Sequence, residues 1–459
     1  VDILDALARA LGPDQVLVGD AIPVRHHADW SGASPVRPLA LVRPRSTEEV
    51  STALRLCSAQ RVPVVPQGGL TGLAGAAVPR ADAIALSLDR MNAIESLDVA
   101  ASTITVQAGA TLAAVQEAAA ARGLQFGVDL GARGSCQIGG NLATNAGGNG
   151  VLQFGMMREQ TLGLEVVLAD GSVLPMLRPM QKNNTGYDLK QFFIGAEGTL
   201  GVITRAVLRL HRAPRARATA LVALPDFGSA LDLLGRLQSR FPGALAAFEL
   251  MWRDFVETSL GWQKLREPFE AKHPFAALVE VAGDDEAALR DAIEESLGEA
   301  MEAGSAVDAA IAQSQAQALA FWKIREATAE LPVHMKPPIN LDVSLPMATI
   351  GRFADRCRAA FDARWPQHHS IFFGHIGDSN LHITTDGRSI GGRADELEAV
   401  VYALVAEFGG SISAEHGIGL HKKPHLGASR SPAEIGAMAA IKRALDPHHI
   451  MNPGKVFDL

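Results

Sequence analysis

The chain has 459 residues, 47% of them apolar and 20% charged, with a formal net charge of −8. That is globular composition on a length beyond the roughly 250–300 residues that one hydrophobic core sustains, so two domains are expected, and the acidic balance argues against nucleic acid or an anionic membrane as main partner. Three scattered cysteines, Cys57, Cys136 and Cys357, exclude a disulfide framework or cysteine zinc site, and no apolar run of about 18 residues or charged-then-apolar leader marks a membrane span or signal peptide.

In chain order, the first half alternates helix and strand. Ser46-Thr47-Glu48-Glu49 forms a capping box ahead of a helix carrying Val50, Leu54 and Cys57. Val62-Pro63-Val64-Val65 reads as a buried strand, residues 83–88 and 103–106 as further strands, and Thr111 caps a helix that stops at Gly123. Residues 162–174 read as a hairpin about Asp170-Gly171, and residues 198–210 as strand. Past Arg212 the texture turns Ala-rich and helical, with helices expected over 284–300 and 306–331. Ser431-Pro432-Ala433-Glu434 opens a last helix that Asp446-Pro447 ends near Leu445. The expected division is therefore 1–212, 213–425 and a returning segment 426–459. A reducing compartment, and hence a soluble protein of the bacterial cytoplasm, fits the cysteine usage.

Two glycine loops stand out among the 44 glycines. The first, residues 66–75, contains Pro66, Gln67, Gly68, Gly69, Leu70, Thr71 and Gly72 directly after a strand. The second, residues 131–150, contains Gly134, Ser135, Cys136, Gly139, Gly140, Asn141, Thr144, Asn145 and Gly147. Glycines let successive N–H groups converge on an anion, and Ser, Thr and Asn add donors, which suits a pyrophosphate. Neither loop has the G-x-G-x-x-G or G-x-x-x-x-G-K-[ST] spacing, which disfavours a Rossmann dehydrogenase or a P-loop NTPase.

Nine of the fourteen histidines lie from His368 to His449. A glycine-flanked H-x6-H, His375 and His382, precedes Glu415-His416-Gly417. Two imidazoles with a carboxylate form a common divalent-ion set with an open position. Metal coordination would acidify a substrate hydroxyl, and a histidine could take its proton near neutral pH. Arg325 offers a guanidinium fork suited to a carboxylate. No acidic residue stands three or four positions from it, which disfavours a local helical ion pair and leaves an unpaired surface arginine open.

The first loop resembles the pyrophosphate loop of vanillyl-alcohol-oxidase-type FAD enzymes. The second loop, with Asn184-Thr185-Gly186-Tyr187-Asp188-Leu189 and residues 195–204, is similar to the branch holding D-2-hydroxyglutarate dehydrogenase, D-lactate dehydrogenase and the glycolate oxidase flavin subunit. The resemblance spans about residues 46–457. It implies an α+β protein with a vanillyl-alcohol-oxidase/PCMH-type FAD-binding domain of two α/β subdomains, plus an α+β cap domain over the isoalloxazine. It adds Glu197, Gly201, Val202, Ile203 and Asn452 to the loop residues as FAD contacts. With no His or Cys in the first loop to form a covalent link, and Cys136 an ordinary part of the motif, the FAD is expected to be non-covalent. His375, His382 and Glu415 become ligands of a divalent ion, Zn2+ before Mn2+ or Fe2+, His416 the base, and Arg325 the carboxylate anchor.

The implied reaction is oxidation of a small D-2-hydroxy acid by hydride transfer to FAD, with electrons passed to an acceptor such as electron-transfer flavoprotein or a quinone. A homodimer is among the assemblies allowed. Within residues 340–346, Asn340 stands where the hydroxyglutarate enzymes have a lysine, and Thr384 replaces an asparagine two residues after the second histidine. Both changes reduce polar reach toward a distal carboxylate, so dicarboxylic and monocarboxylic substrates stay open. Two rivals also stay open: an ether-lipid-type synthase on the same FAD fold, and a silent flavin- or metal-binding subunit of a larger complex.

Overall fold

A computed structural model describes residues 2–459. The chain forms two compact units, residues 1–213 with 415–459, and residues 214–414. The first holds two sheets. A four-stranded sheet runs in the order Val16–Leu17, Ala40–Val42, Ile84–Ser87, Val64–Gln67, its last two pairings parallel. A five-stranded antiparallel sheet runs Ile94–Asp98, Thr103–Gln107, Val202–Arg209, Thr161–Val167, Val173–Met176. Parallel strands need crossovers and covered faces. The helix Thr47–Gln60 supplies one, burying Val50, Ala53, Leu54 and Cys57 on one stripe.

Ser46 caps that helix, accepting from Glu49 N at 3.3 Å. The expected reciprocal bond is absent: the Glu49 carboxylate reaches one residue further back, to Arg45 N at 2.6 Å. The full capping box forms instead at the tail helix Pro432–Leu445, between Ser431 and Glu434. That tail returns Ile450 and Met451 to the core of the first unit.

The second unit is built on a seven-stranded antiparallel sheet. Its order is Asp308–Ile311, Ala216–Leu224, Phe275–Gly283, Leu245–Trp252, Ser370–His375, Asn380–Asp386, Pro338–Ser344. The segment 306–331 is therefore not one helix. Residues 308–311 pair with 220–223 as an edge strand, and the helix starts only at Gln315, capped by Ser314. A free sheet edge overrides the helical propensity of an alanine run.

Pairing register places residues directly opposite one another on the same face. Glu249 faces His375, Phe373 faces His382, Asp342 faces His382, and Asn340 faces Thr384. Toward the other end of that face Leu221, Met251, Ala276 and Leu278 pack with Phe255, Val256 and Ile324 from the helices Arg253–Gln263 and Gln315–Arg325. One face thus passes from an apolar, helix-covered half to a polar half. Among the described residues no helix is long and apolar enough to cross a membrane.

Candidate active site

In the first unit the two glycine loops press backbone against backbone. A Cβ on Gly69 would lie 2.1 Å from the Ser135 carbonyl oxygen, so only glycine fits. Leu70 takes the left-handed conformation at φ 61°. Among the described residues, the N–H groups of residues 68–72 have no hydrogen-bond acceptor within the chain. A run of unengaged N–H groups is a nest for anionic oxygens.

Most of the loops' polar side chains turn inward. Gln67 donates to His26 O at 3.1 Å and Ala77 O at 3.0 Å, and its Oε1 meets His26 Nδ1 at 2.8 Å. Asn141 reaches Cys136 Sγ, Thr144 bonds back to Gly140 O, and Asn145 accepts from Arg158 N. Gly139 packs on Ala108 and Gly201 on Val166, while Gly134 and Gly140 face open space. Pro66 lies within the strand Val64–Gln67, and Val202 and Ile203 begin another, both buried. What the loops present is mainly backbone. Among the buried side-chain acceptors that lack a hydrogen-bond partner are Gln137 Oε1 in the second loop and Asn452 Oδ1 in the tail. Asn452 uses its Nδ2 on Ala76 O at 3.0 Å and Glu197 O at 2.7 Å. An unengaged amide nest and two orphaned acceptors suit a ligand with both phosphate oxygens and N–H or hydroxyl donors, and FAD has both.

Glu197 is buried at φ 52°. Its carboxylate accepts from Ile418 N at 2.7 Å and Gly419 N at 2.8 Å, clamping the turn after Glu415-His416. Burial pushes its carboxyl up, and the two N–H groups only partly offset this. Glu415 Oε1 accepts from Gly148 N at 2.9 Å, at the end of the second loop. His416 follows, half-buried.

In the second unit Glu249 organises the polar half of the sheet. It stands 1% exposed among the seven apolar residues of Leu245–Trp252. Its Oε1 lies 2.5 Å from His375 Nδ1, and its Oε2 accepts from Arg325 Nε at 2.7 Å. Burial pushes its carboxyl up, but its bonded partners His375 and Arg325 outweigh this and hold it down at about 2. A carboxylate only accepts, so His375 carries its proton on Nδ1. That leaves Nε2, 3.4 Å from Arg325 Nη2, as the acceptor nitrogen.

Arg325 is thus no surface arginine. It is 8% exposed, with its guanidinium 4.8 Å from the Phe373 ring centre. The His375 and His382 rings lie 5.5 Å apart and nearly perpendicular, and His382 Nδ1 stands 3.8 Å from Asp342 Oδ1. Thr384 donates to Asn340 Oδ1 at 2.9 Å. This unit therefore brings Arg325, His375, His382, Asn340 and Thr384 onto one face, while Glu415 and His416 belong to the other unit.

Sequence reasoning missed Glu249 and Asp342 as site carboxylates. For Glu249 the available signal was a single carboxylate inside an otherwise apolar strand, where an unpaired charge would be untenable.

Comparison with known proteins matches residues 38–176 to an FAD binding domain and residues 213–456 to the C-terminal domain of FAD linked oxidases. The chain is 40% identical to a D-2-hydroxyglutarate dehydrogenase of Xanthomonas citri pv. viticola over 94% of this chain and 91% of that one. It is 37% identical to one of Stutzerimonas stutzeri over 99% and 98%. Among solved structures, 4-ethylphenol oxidase from Gulosibacter chungangensis shares the fold, with a TM-score of 0.74 at 17% identity, covering 99% of this chain and 96% of that one.

Proposed function

The chain belongs to the FAD-linked oxidase family, and on that premise we propose that it oxidises a D-2-hydroxy acid to the 2-oxo acid, using a divalent ion and non-covalently held FAD. The observation that carries the metal reading is the His375–Glu249 pair. A histidine whose Nδ1–H is donated to a buried carboxylate is the usual outer arrangement of a metal-ligating imidazole. We assign the ion to His375, His382 and Glu415, with Asp342 Oδ1 3.8 Å from His382 Nδ1.

When bound, FAD supplies the hydride acceptor, and Zn2+, Mn2+ or Fe2+ supplies the Lewis acidity that lowers the hydroxyl pKa. The remaining tasks fall to the chain. The Nη groups of Arg325 hold the C1 carboxylate, its Nε being engaged by Glu249. His416 takes the hydroxyl proton as the C2 hydride departs, which leaves the carbonyl. The nest of residues 68–72 takes the pyrophosphate, and Asn452 Oδ1 and Gln137 Oε1 accept from cofactor donors.

D-2-hydroxyglutarate is the first candidate substrate, since the relatives described above carry that name. A second reading, a D-2-hydroxy monocarboxylate such as D-lactate, is favoured by Asn340 and Thr384. They bond each other and bring no cation to the end of the polar row. Steady-state turnover on a panel of D-2-hydroxy acids, with an artificial electron acceptor and with or without chelator, tests all of this. Turnover abolished by chelation and restored by Zn2+ or Mn2+ is expected. Full activity in chelator overturns the metal assignment, and a strong preference for D-2-hydroxyglutarate over D-lactate overturns the second reading. Anaerobic bleaching of the flavin by substrate separates a dehydrogenase from a synthase without net redox or a silent subunit. Electron-transfer flavoprotein or a quinone is the acceptor class we infer.

A further inference from the structure

We propose that Glu249 is a positioning residue that ties the orientation of the His375 imidazole to that of the Arg325 guanidinium, so that ion binding and carboxylate binding share one buried anchor. The proposal rests on the reading above for what His375 and Arg325 bind. A carboxylate inside an apolar strand is stable only when its oxygens are engaged, and both are. The two partners come from different elements, the end of the helix Gln315–Arg325 and the end of the strand Ser370–His375. They are then brought to 3.4 Å of each other, Nη2 to Nε2.

A plain structural ion pair would need only Arg325. The third member is what matters: the bond to Nδ1 selects the tautomer and turns Nε2 outward from the carboxylate. The Phe373 ring beneath the guanidinium limits its swing, so Glu249 and Phe373 together leave Arg325 one posture. Loss of the carboxylate frees both groups at once.

The test uses the full-length holoenzyme with Glu249→Gln, which keeps shape and removes charge, and Glu249→Asp in case the first variant does not fold. The Zn2+ dissociation constant is expected to rise about 10–100-fold. KM for the hydroxy acid should rise in the same variant, with flavin content unchanged. A variant that melts earlier but keeps the wild-type Zn2+ affinity and KM overturns the proposal, as does one in which only one of the two moves. A separate readout stands apart from the metal: the ring nitrogens of His375 in 15N-histidine-labelled protein, assigned by His375→Gln. Wild type should show protonated Nδ1, and Glu249→Gln a mixture of tautomers. Should the wild-type protein take up no divalent ion, the metal assignment fails and this spectrum alone decides the role of Glu249, an unchanged tautomer overturning it.

Discussion

The contacts that hold the two glycine loops run through Gln67, Gly69 and Asn145, so a base at the proposed position, His416, would separate chemistry from cofactor retention. His416→Ala is expected to lower kcat about 10²–10⁴-fold, the usual range for a lost general base, with the flavin-to-protein absorbance ratio unchanged. Parallel loss of flavin and turnover would make it a binding residue instead. A second residue-scale effect concerns pH. Burial pushes the Cys57 thiol up to about 12 from its ordinary value near 9. A raised folded-state value favours the folded chain while the thiol stays neutral. That contribution is complete below pH 9 and is lost as pH climbs toward 12, at about 1.4 kcal/mol per pH unit. Urea melts at pH 8 and pH 10.5 should show wild type losing roughly 2 kcal/mol more than Cys57→Ala. An identical pH slope in the two proteins rejects the assignment. Single residues were unevenly legible. His375 and His382 announce themselves by spacing, because they share one strand–turn–strand. Glu249 does not, because its partners lie 76 and 126 residues away in sequence and reach it through helix packing for Arg325 and sheet register for His375.

Elements were legible where local chemistry decides them. The tail helix starts at Ser431 because its hydroxyl and Glu434 satisfy each other's backbone N–H, a bond set complete within four residues. The edge strand Asp308–Ile311 was not legible, because its partner strand supplies the reason for its shape. The glycine loops fall between these cases. Their glycines signal close approach, but what each approaches is set by the fold. Gly69 meets Ser135 O of the other loop, and a Cβ on Gly148 would lie 1.9 Å from Asp129 O. Gly69→Ala should therefore push the loops apart and dismantle the nest of residues 68–72. The expected result is protein purified largely without FAD and rebinding it at least tenfold more weakly, read by quenching of flavin fluorescence. Gly436→Ala in the tail helix, whose Cβ meets nothing within 4 Å, is the control for side-chain bulk, and wild-type FAD affinity in Gly69→Ala would refute the packing argument.

At the scale of the molecule, the chain leaves the first unit at residue 213 and returns to it at residue 415, so the tail completes a core begun some 400 residues earlier. The completion is physical. Met451 bridges to Val64, and Asn452 N bonds Val64 O at 2.8 Å, beside the strand that feeds the first glycine loop. Lys442 locks this arrangement from within the core. Its Nζ donates to Thr199 O at 2.6 Å, Met451 O at 2.7 Å and Asp446 Oδ2 at 2.5 Å, with Lys442 5% exposed and Asp446 fully buried. Asp446 in turn accepts from Ile450 N and Met451 N. Lys442→Met keeps the aliphatic stem but strands the Asp446 carboxylate, a loss of about 3–5 kcal/mol. In a unit of this size each kcal/mol moves the melting temperature by about 2–4 °C, which gives a fall of roughly 10 °C. The two units carry different reporters. FAD belongs to the first, whereas Trp252, Trp262, Trp322 and Trp365, four of the five tryptophans, lie in the second. Thermal release of flavin fluorescence should shift down by that amount in Lys442→Met, with the tryptophan transition held near its wild-type temperature. Equal shifts in both signals would show that the tail stabilises the chain as one cooperative body. A shift in flavin release alone ties the buried lysine to the FAD-binding core that the tail closes.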